Sequence, residues 1–243
     1  LLAGAPKTVT ISREADGWYA CISCEGAPTQ PLPLTGREIG IDVGLKVFLV
    51  TSHGLMVENP RHFRKGERRL AKADKAVARC QQGSNGRKKA LARRAKAHQK
   101  VKRQRRDFHH KVALRLVCDN DTIYLEDVQV ANLRRRPDPK PDGAGGYLPN
   151  GAKRKAGLNK SMSDAGWYQF RTILDYKAAW AGKRVEAIPP AYTSQDCSDC
   201  GERVPKSLSV RTHMCPACGL VLDRDENAAI NMLRAGQTRQ RLT

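Results

Sequence analysis

Apolar and polar residues alternate along Lys7–Ser12 and again along Trp18–Ser23, on either side of Ala15-Asp16-Gly17. A period of two on both sides of a turn signal predicts a β-hairpin. Ile39–Val43 and Lys46–Ser52 form a second strand pair with Gly44 at its turn, and Pro31–Thr35 reads as the linker leading into it. Two further short apolar runs read as strands: Thr122–Glu126, entered from Asn120-Asp121, and Arg184–Ile188, ended by Pro189-Pro190. The period becomes helical over Ser161–Gly182. There Trp167, Phe170, Leu174, Ala178 and Trp180 follow one face, and Ser161 or Ser163 supplies the cap. A last helix is expected over Glu226–Arg234. Arg134–Leu158, rich in Pro, Gly and basic residues, reads as a flexible loop. No internal repeat is visible. Strands alternating with helices argue for an α/β sheet.

Arg61–Arg115 has a different texture. It is built from Ala, Lys, Arg, Gln and Leu, all good helix formers, and is interrupted by Gly83-Ser84-Asn85-Gly86. Two basic helices joined by that loop are predicted, with Leu70, Val77, Leu91, Val101, Phe108, Val112 and Leu116 docking them onto the rest. Charge makes this segment the center of attention. The 243 residues carry 44 Lys plus Arg against 24 Asp plus Glu, a net +20. Arg61–Arg115 alone holds 21 of the cations against Glu67, Asp74 and Asp107, a local +18. Without acids at i,i+4 the run cannot neutralize itself. It calls for a polyanion, with nucleic acid first and an anionic membrane surface second. The candidate phosphate contacts are Arg68, Arg69, Lys72, Arg87, Lys88, Lys89, Arg93, Arg94, Lys102, Arg103, Arg105 and Arg106.

Other classes recede. No stretch approaches the ~18 apolar residues of a membrane span. Leu1-Leu2-Ala3 has neither the charged nor the apolar region of a secretory signal. With 3 Trp, 6 Tyr and 4 Phe, wide aromatic stacking surfaces are not expected. At roughly 100–200 residues per domain, the length allows one large or two modest domains.

The 8 cysteines are too few for a disulfide scaffold. Their spacing points instead to metal in a reducing compartment. Cys197-Ser198-Asp199-Cys200 and Cys215-Pro216-Ala217-Cys218 are two C-x2-C knuckles, each followed by Gly, at Gly201 and Gly219. Four thiolates suit a tetrahedral Zn²⁺ at about 2.3 Å, and a closed four-ligand site is structural. Cys21-Ile22-Ser23-Cys24 has the same spacing without a partner pair, and Cys80 and Cys118 stand alone. These are read as buried or incidental thiols. His213 lies near the block, but four cysteines suffice and no metal is assigned to it.

Three acids sit in unusual settings. Asp42 lies within Ile39-Gly40-Ile41-Asp42-Val43-Gly44, Glu126 ends Ile123-Tyr124-Leu125-Glu126, and Asp225 stands directly before the last helix. A bare carboxylate inside an apolar strand is costly, so it must be paired, protonated or metal-bound. Each alone has an ordinary reading: Asp42 as a turn residue, Glu126 as an ion-pair partner, Asp225 as a helix N-cap. Together they suit two Mg²⁺ ions about 3.5–4 Å apart, which would clamp the attacking and leaving oxygens of a phosphodiester. Mg²⁺ prefers oxygen ligands.

These motifs, taken in order with Asn159-Lys160-Ser161-Met162-Ser163-Asp164-Ala165-Gly166-Trp167, Tyr192-Thr193-Ser194-Gln195-Asp196-Cys197 and Asp223-Arg224-Asp225-Glu226-Asn227-Ala228-Ala229, resemble the TnpB proteins. TnpB proteins are RNA-guided nucleases of bacterial insertion sequences, related to type V CRISPR effectors. The resemblance runs from about Lys7 to the C-terminus. It implies an RNase H-like (RuvC-like) mixed sheet with flanking helices, an inserted basic helical hairpin, an inserted zinc ribbon and a residual N-terminal β-hairpin. The corresponding parts are 1–35 (remnant of a β wedge), 36–60, 117–192 and 222–243 (RuvC-like), 61–116 (basic hairpin) and 193–221 (zinc ribbon).

By the same resemblance Asp42, Glu126 and Asp225 are the catalytic, magnesium-binding triad, with Asp223 as the alternative to Asp225. Cys197, Cys200, Cys215 and Cys218 hold one structural Zn²⁺. Asp42 and Asp225 would touch both Mg²⁺ ions and Glu126 one, to cut DNA paired with a guide RNA. The implied partners are target DNA and guide RNA, with no membrane and no small-molecule substrate, in a prokaryotic cytoplasm. Two departures stand out. Only the last hairpin of the family's N-terminal portion is recognizable, and Arg134–Leu158 is longer and richer in Pro and Gly than the family pattern. The runner-up is a non-catalytic DNA- or RNA-binding zinc-ribbon protein. Transposition by strand transfer and a ribosomal-type RNA binder rank lower.

Overall fold

The computed structural model describes residues 3–26, 31–207 and 209–241. Leu1 and Leu2, which open the signal-peptide argument, lie outside the described residues, as do residues 27–30 of the expected wedge remnant. In chain order the elements are β1 (Ala5–Glu14), β2 (Gly17–Glu25), β3 (Glu38–Val43), β4 (Val47–Thr51), β5 (Met56–Glu58), α1 (His62–Ala78), α2 (Asn85–Asp119), β6 (Thr122–Glu126) and α3 (Val130–Leu133). These are followed by β7 (Lys140–Pro141), β8 (Tyr147–Leu148), α4 (Ala152–Ala165), α5 (Trp167–Trp180), β9 (Arg184–Ile188), β10 (Thr212–Met214), β11 (Val221–Asp223) and α6 (Arg224–Arg241). They group into two compact units: Leu1–Pro31 with His62–Phe108, and Leu32–Arg61 with His109–Thr243.

In the first unit β1 and β2 pair antiparallel, with Val9 opposite Ile22 and Arg13 opposite Trp18. α1 and the start of α2 run antiparallel. His62 meets Phe108 ring to ring at 6.2 Å, and Arg94 pairs with Asp74 at 3.8 Å. The Gly-Ser-Asn-Gly loop does what its residues predict. Gly83 takes a left-handed φ of 82°, and Ser84 Oγ accepts from the Arg87 N–H at 3.1 Å, capping α2. The apolar seam differs from the expected one. Leu70 and Val77 are buried, but they are joined by Ala90 and Ala97, while Leu91 is exposed. Where Gly66 of α1 faces Val101 of α2, an added Cβ would lie 3.1 Å from the Val101 methyl.

The second unit is a five-stranded mixed sheet in the order β5-β4-β3-β6-β9. β5, β4 and β3 pair antiparallel, and β3, β6 and β9 run parallel. α6 lies on the sheet at two bare points. A Cβ on Gly40 would meet the Ala229 carbonyl oxygen at 2.0 Å, and one on Gly236 would meet the Tyr124 ring at 2.0 Å. Ala229 and Met232 of α6 are fully buried. Further apolar cover comes from an aromatic cluster in which Phe48 stacks on His109 at 5.4 Å and meets the Phe170 edge at 5.0 Å. At the opposite end of the sheet from the strand C-termini, Asp121 accepts from the N–H groups of Thr35 and Gly36, and the buried Lys183 ammonium donates to Asp121 and to the Pro33 carbonyl. This knot fixes the linker that enters β3.

Three expectations are corrected. First, Arg134–Leu158 is not a bare flexible loop: it holds the β7–β8 hairpin and the first half of α4. Asp142 closes the hairpin turn by accepting from the N–H groups of Ala144 and Gly146, each at 2.8 Å. Lys155 and Asn159 tie α4 back to the carbonyls of Leu133 and Arg134. Second, the helix expected over Ser161–Gly182 is two helices broken at Gly166, whose φ of 66° ends α4 and starts α5. Ser161 and Ser163 are not caps; their hydroxyls donate back to Gly157 and Asn159 within α4. Third, the last helix begins at Arg224 and runs to Arg241, so Asp225 lies in its first turn.

Candidate active site and cysteine cluster

β3 and β6 pair in parallel with Ile41 opposite Leu125. The next residue of each strand, Asp42 and Glu126, therefore emerges at the same end of the sheet. α6 brings the third acid there. Its Ala229 carbonyl crosses Gly40, so the residue one turn earlier, Asp225, arrives over Asp42. A Cβ on Gly44 would lie 3.9 Å from Asp225 Oδ2 and 2.8 Å from the Val47 carbonyl oxygen, so only hydrogen fits this corner. The local geometry also separates the two acids of Asp-Arg-Asp. Asp223 Oδ1 accepts from the Asp225 N–H at 2.8 Å, which makes Asp223 the helix cap. Asp225 is buried and turned inward.

The electrostatics register this convergence. Burial pushes the Asp42 carboxyl well above its ordinary range, and the charges of Asp225 and Glu126 push it further. Burial also raises Glu126. Arg211 and Arg224 oppose the rise at Asp42, and both guanidiniums donate to Asp225. Arg211 escaped the sequence reading. It is an isolated Arg before β10, and only the fold brings it 14 positions along to Asp225.

An all-oxygen set on three elements, with its members repelling one another, fits hard divalent cations. The three acids are gathered less tightly than the cysteines, since their oxygens do not all lie within 4.8 Å of one another. Glu126 lines a cleft of about 1380 Å³ with Arg134, Arg135, Arg136, Lys155 and Arg171. Small-molecule pockets are usually about 300–1,000 Å³, so the cleft suits something larger, and its wall is cationic.

The four knuckle sulfurs do lie within 4.8 Å of one another. Cys197 Sγ is 3.6 Å from Cys218 Sγ, and Cys200 Sγ is 3.5 Å from Cys215 Sγ. A tetrahedron with metal–sulfur bonds of 2.3 Å has edges of about 3.8 Å, so the cluster fits one tetrahedral ion. The N–H of Cys218 helps draw the Cys215 thiol down to about 7. Gly201 and Gly219 take left-handed φ values of 80° and 77°, as the knuckle turns require. His213 is fully buried beside the cluster, where it favors the Cys197 thiolate, and its Nδ1 is held by Lys206. α6 anchors this region. Asn227 Oδ1 accepts from the Ser198 N–H at 2.9 Å, and Asn227 and Asn231 donate to the Asp196 carbonyl. By contrast Cys21 is exposed on β2, opposite Thr10, and belongs to no such cluster among the described residues.

The candidate phosphate contacts divide. Arg68, Arg69, Lys72, Lys88, Lys89, Arg93, Lys102 and Arg106 are exposed on α1 and α2, and Arg105 is half-buried. Arg87 donates to the Val77 and Cys80 carbonyls at the end of α1, and Arg94 faces Asp74. Arg103 is engaged within the first unit by Glu14 at 2.9 Å, Asp16 at 2.6 Å and the Tyr19 hydroxyl at 2.8 Å.

The fold and the two sites define a mixed α/β protein with a four-cysteine ribbon and an acidic sheet edge, and comparison with known proteins identifies the group. Residues 21–136 match a family model described as "Probable transposase", and residues 167–232 match one described as "Cas12f1-like, TNB domain". Two similar proteins are each named "Putative RNA-guided DNA endonuclease". The one from Streptomyces pristinaespiralis is 39% identical, with 95% of this chain and 53% of that protein aligned. InsQ from Escherichia coli (strain K12) is 32% identical, over 97% and 58%. These matches bear out the resemblance to the TnpB proteins. The chain spans about half the length of the curated relatives it matches. A solved Cas12f1–sgRNA–target DNA complex shares the fold, with a TM-score of 0.55 at 15% identity over 94% of this chain and 56% of that one. No helix among the described residues is long and apolar enough to cross a membrane.

Proposed function

We propose that this chain is the catalytic half of a TnpB-type, Mg²⁺-dependent DNA endonuclease with an RNase H-like (RuvC-like) sheet, directed by a guide RNA in the full-length protein. The observation that carries the reading is the convergence of Asp42, Glu126 and Asp225 where two parallel strands end and α6 begins. Asp42 and Asp225 would hold both Mg²⁺ ions and Glu126 one. When bound, the ions supply Lewis-acid activation of water and neutralize the leaving oxygen. The protein's own part is to fix three carboxylates at one corner, to keep Asp225 in register through the Asp223 cap, and to line the approach with Arg134–Arg136 and Lys155. The four cysteines would hold one structural Zn²⁺. The exposed cations of α1 and α2 would grip phosphates.

A cleavage assay tests the reading. Labelled single- and double-stranded DNA is offered with Mg²⁺ or EDTA, to the parent and to Asp42→Ala, with co-purified RNA retained or digested. Mg²⁺-dependent cutting, lost in the variant and lost when RNA is digested, is the expected result. Equal cutting by Asp42→Ala would refute the site. Joined ends among the products would indicate strand transfer instead. The second reading, a nucleic-acid binder without catalysis, draws on the chain's half-length match to its relatives. Tight, salt-sensitive binding without any cutting would favor it.

A further inference from the structure

α5 exposes three aromatic rings in a protein that has few of them: Tyr168 is 76% exposed, Trp180 72% and Tyr176 38%. Their spacings of eight and four residues wind them along the helix over about 18 Å. Tyr176 and Trp180 meet edge to face at 6.4 Å. The Tyr176 hydroxyl hydrogen-bonds His110 Nδ1 at 3.1 Å, and the Lys177 ammonium lies 6.0 Å from the Tyr176 ring. These contacts fix Tyr176 and Trp180 on the surface; Lys177 lies over one face of Tyr176, while Trp180 and Tyr168 keep most of their area exposed. At the other end, Tyr168 lines the cleft that also contains Glu126 and Arg171, and Arg171 pairs with Asp175 at 3.1 Å. The stripe is therefore continuous with the basic cleft.

The occupant must match both features. A protein partner would need an acidic rim to approach a chain of net charge +20. An unpaired nucleic-acid strand brings an anionic backbone and π-faces together, and every base can stack on a Tyr or Trp ring. A duplex has already spent its base faces on its own stack. We propose that Tyr168, Tyr176 and Trp180 form a stacking track for an unpaired DNA strand leading to or from the cleft at Glu126. That the strand is DNA rests on the nuclease reading. That unpaired bases bind these rings does not.

The test is equilibrium binding by the full chain in EDTA, so that no catalysis is needed. The probes are a homothymidine strand, a homouridine strand and a blunt duplex of equal length. Trp180→Ala should weaken thymidine-strand binding at least about fivefold, the low end of base–aromatic stacking, and leave duplex binding unchanged. Trp180→Phe, which keeps a ring, should restore most of the loss, and Tyr168→Ala should repeat it. Unchanged strand binding in Trp180→Ala and Tyr168→Ala, or an equal loss on the duplex, overturns the track. A loss confined to the uridine strand overturns the assignment to DNA. Conversion of a self-associated parent to a monomer by Trp180→Ala, with strand binding intact, shows instead a contact between copies. None of these outcomes depends on whether Asp42 cuts.

Discussion

Asp42 can ionize only against the charges of Asp225 and Glu126, in a corner where burial already favors the neutral form. Removing its charge should therefore relieve the protein whenever divalent cations are withheld. In EDTA at neutral pH, Asp42→Asn should melt higher than the parent by about 2–4 °C, the shift that about 1 kcal/mol gives in a chain of this size. Added Mg²⁺ should raise the parent's melting temperature and not the variant's. A variant that melts lower in EDTA, or that keeps the Mg²⁺ response, would contradict the cation reading.

Asp121 is the reverse case. The Lys183 ammonium, with the N–H groups of Thr35 and Gly36, holds its carboxyl below the usual carboxylate range. A depressed folded value gives stability that is present above the unfolded value and lost as pH falls through the folded one. The parent should thus lose melting temperature from about pH 5 downward, and Asp121→Ala, already lower at neutral pH, should fall less steeply. Parallel curves would show that the knot contributes nothing electrostatic. Asp42 was legible in the sequence because a lone acid among Ile and Val has few ordinary uses. Asp121 was read only as strand entry, because Lys183 is 62 positions away. Arg211 was invisible for the same reason.

At the scale of elements, α6 rests on two glycines. A methyl group on Gly40 cannot coexist with the Ala229 carbonyl. Gly40→Ala should cost about 1–3 kcal/mol of unfolding free energy in urea, as overpacking does. It should also reduce cleavage, because it moves the helix that carries Asp225. Gly17→Ala, with no atom within 4 Å of the added Cβ, is the control. Equal midpoints for the two variants would mean that α6 is not seated as described.

The strand runs were readable because alternation and burial are local properties. The exact ends were readable where Pro or Asp enforces them, as at Thr122–Glu126 and Arg184–Ile188. The break at Gly166 was not, since the residues that set the helical period, Trp167 to Trp180, all lie after it and say nothing of where the chain turns. The β7–β8 hairpin was missed because its order comes from one Asp142 side chain rather than from composition.

At the scale of the molecule, charge dominates. Binding to DNA or RNA should weaken steeply with salt, each neutralized phosphate adding a slope of about −0.9 on logarithmic axes for duplex DNA. Replacing Arg68, Lys72, Lys88 and Lys89 with Ala should flatten that slope by up to about 3–4 if all four meet phosphate. Replacing Arg103 should instead lower the melting temperature, because its guanidinium already serves Glu14, Asp16 and Tyr19. The basic segment was plain in the sequence. Which cations are occupied internally was not, because the acids that engage Arg103 stand more than 80 positions before it.

α6 turns Asp225 toward Asp42 and, two residues later, Asn227 toward the cysteine knuckles. At about 100° per residue these directions are nearly opposite. One inserted or deleted residue between them would swing one of the two off its target, whatever amino acid it was. The stretch Asp-Glu-Asn is thus a ruler whose length matters more than its middle letter. Related chains should vary freely in the number of residues between the two knuckles, and not at all in this interval.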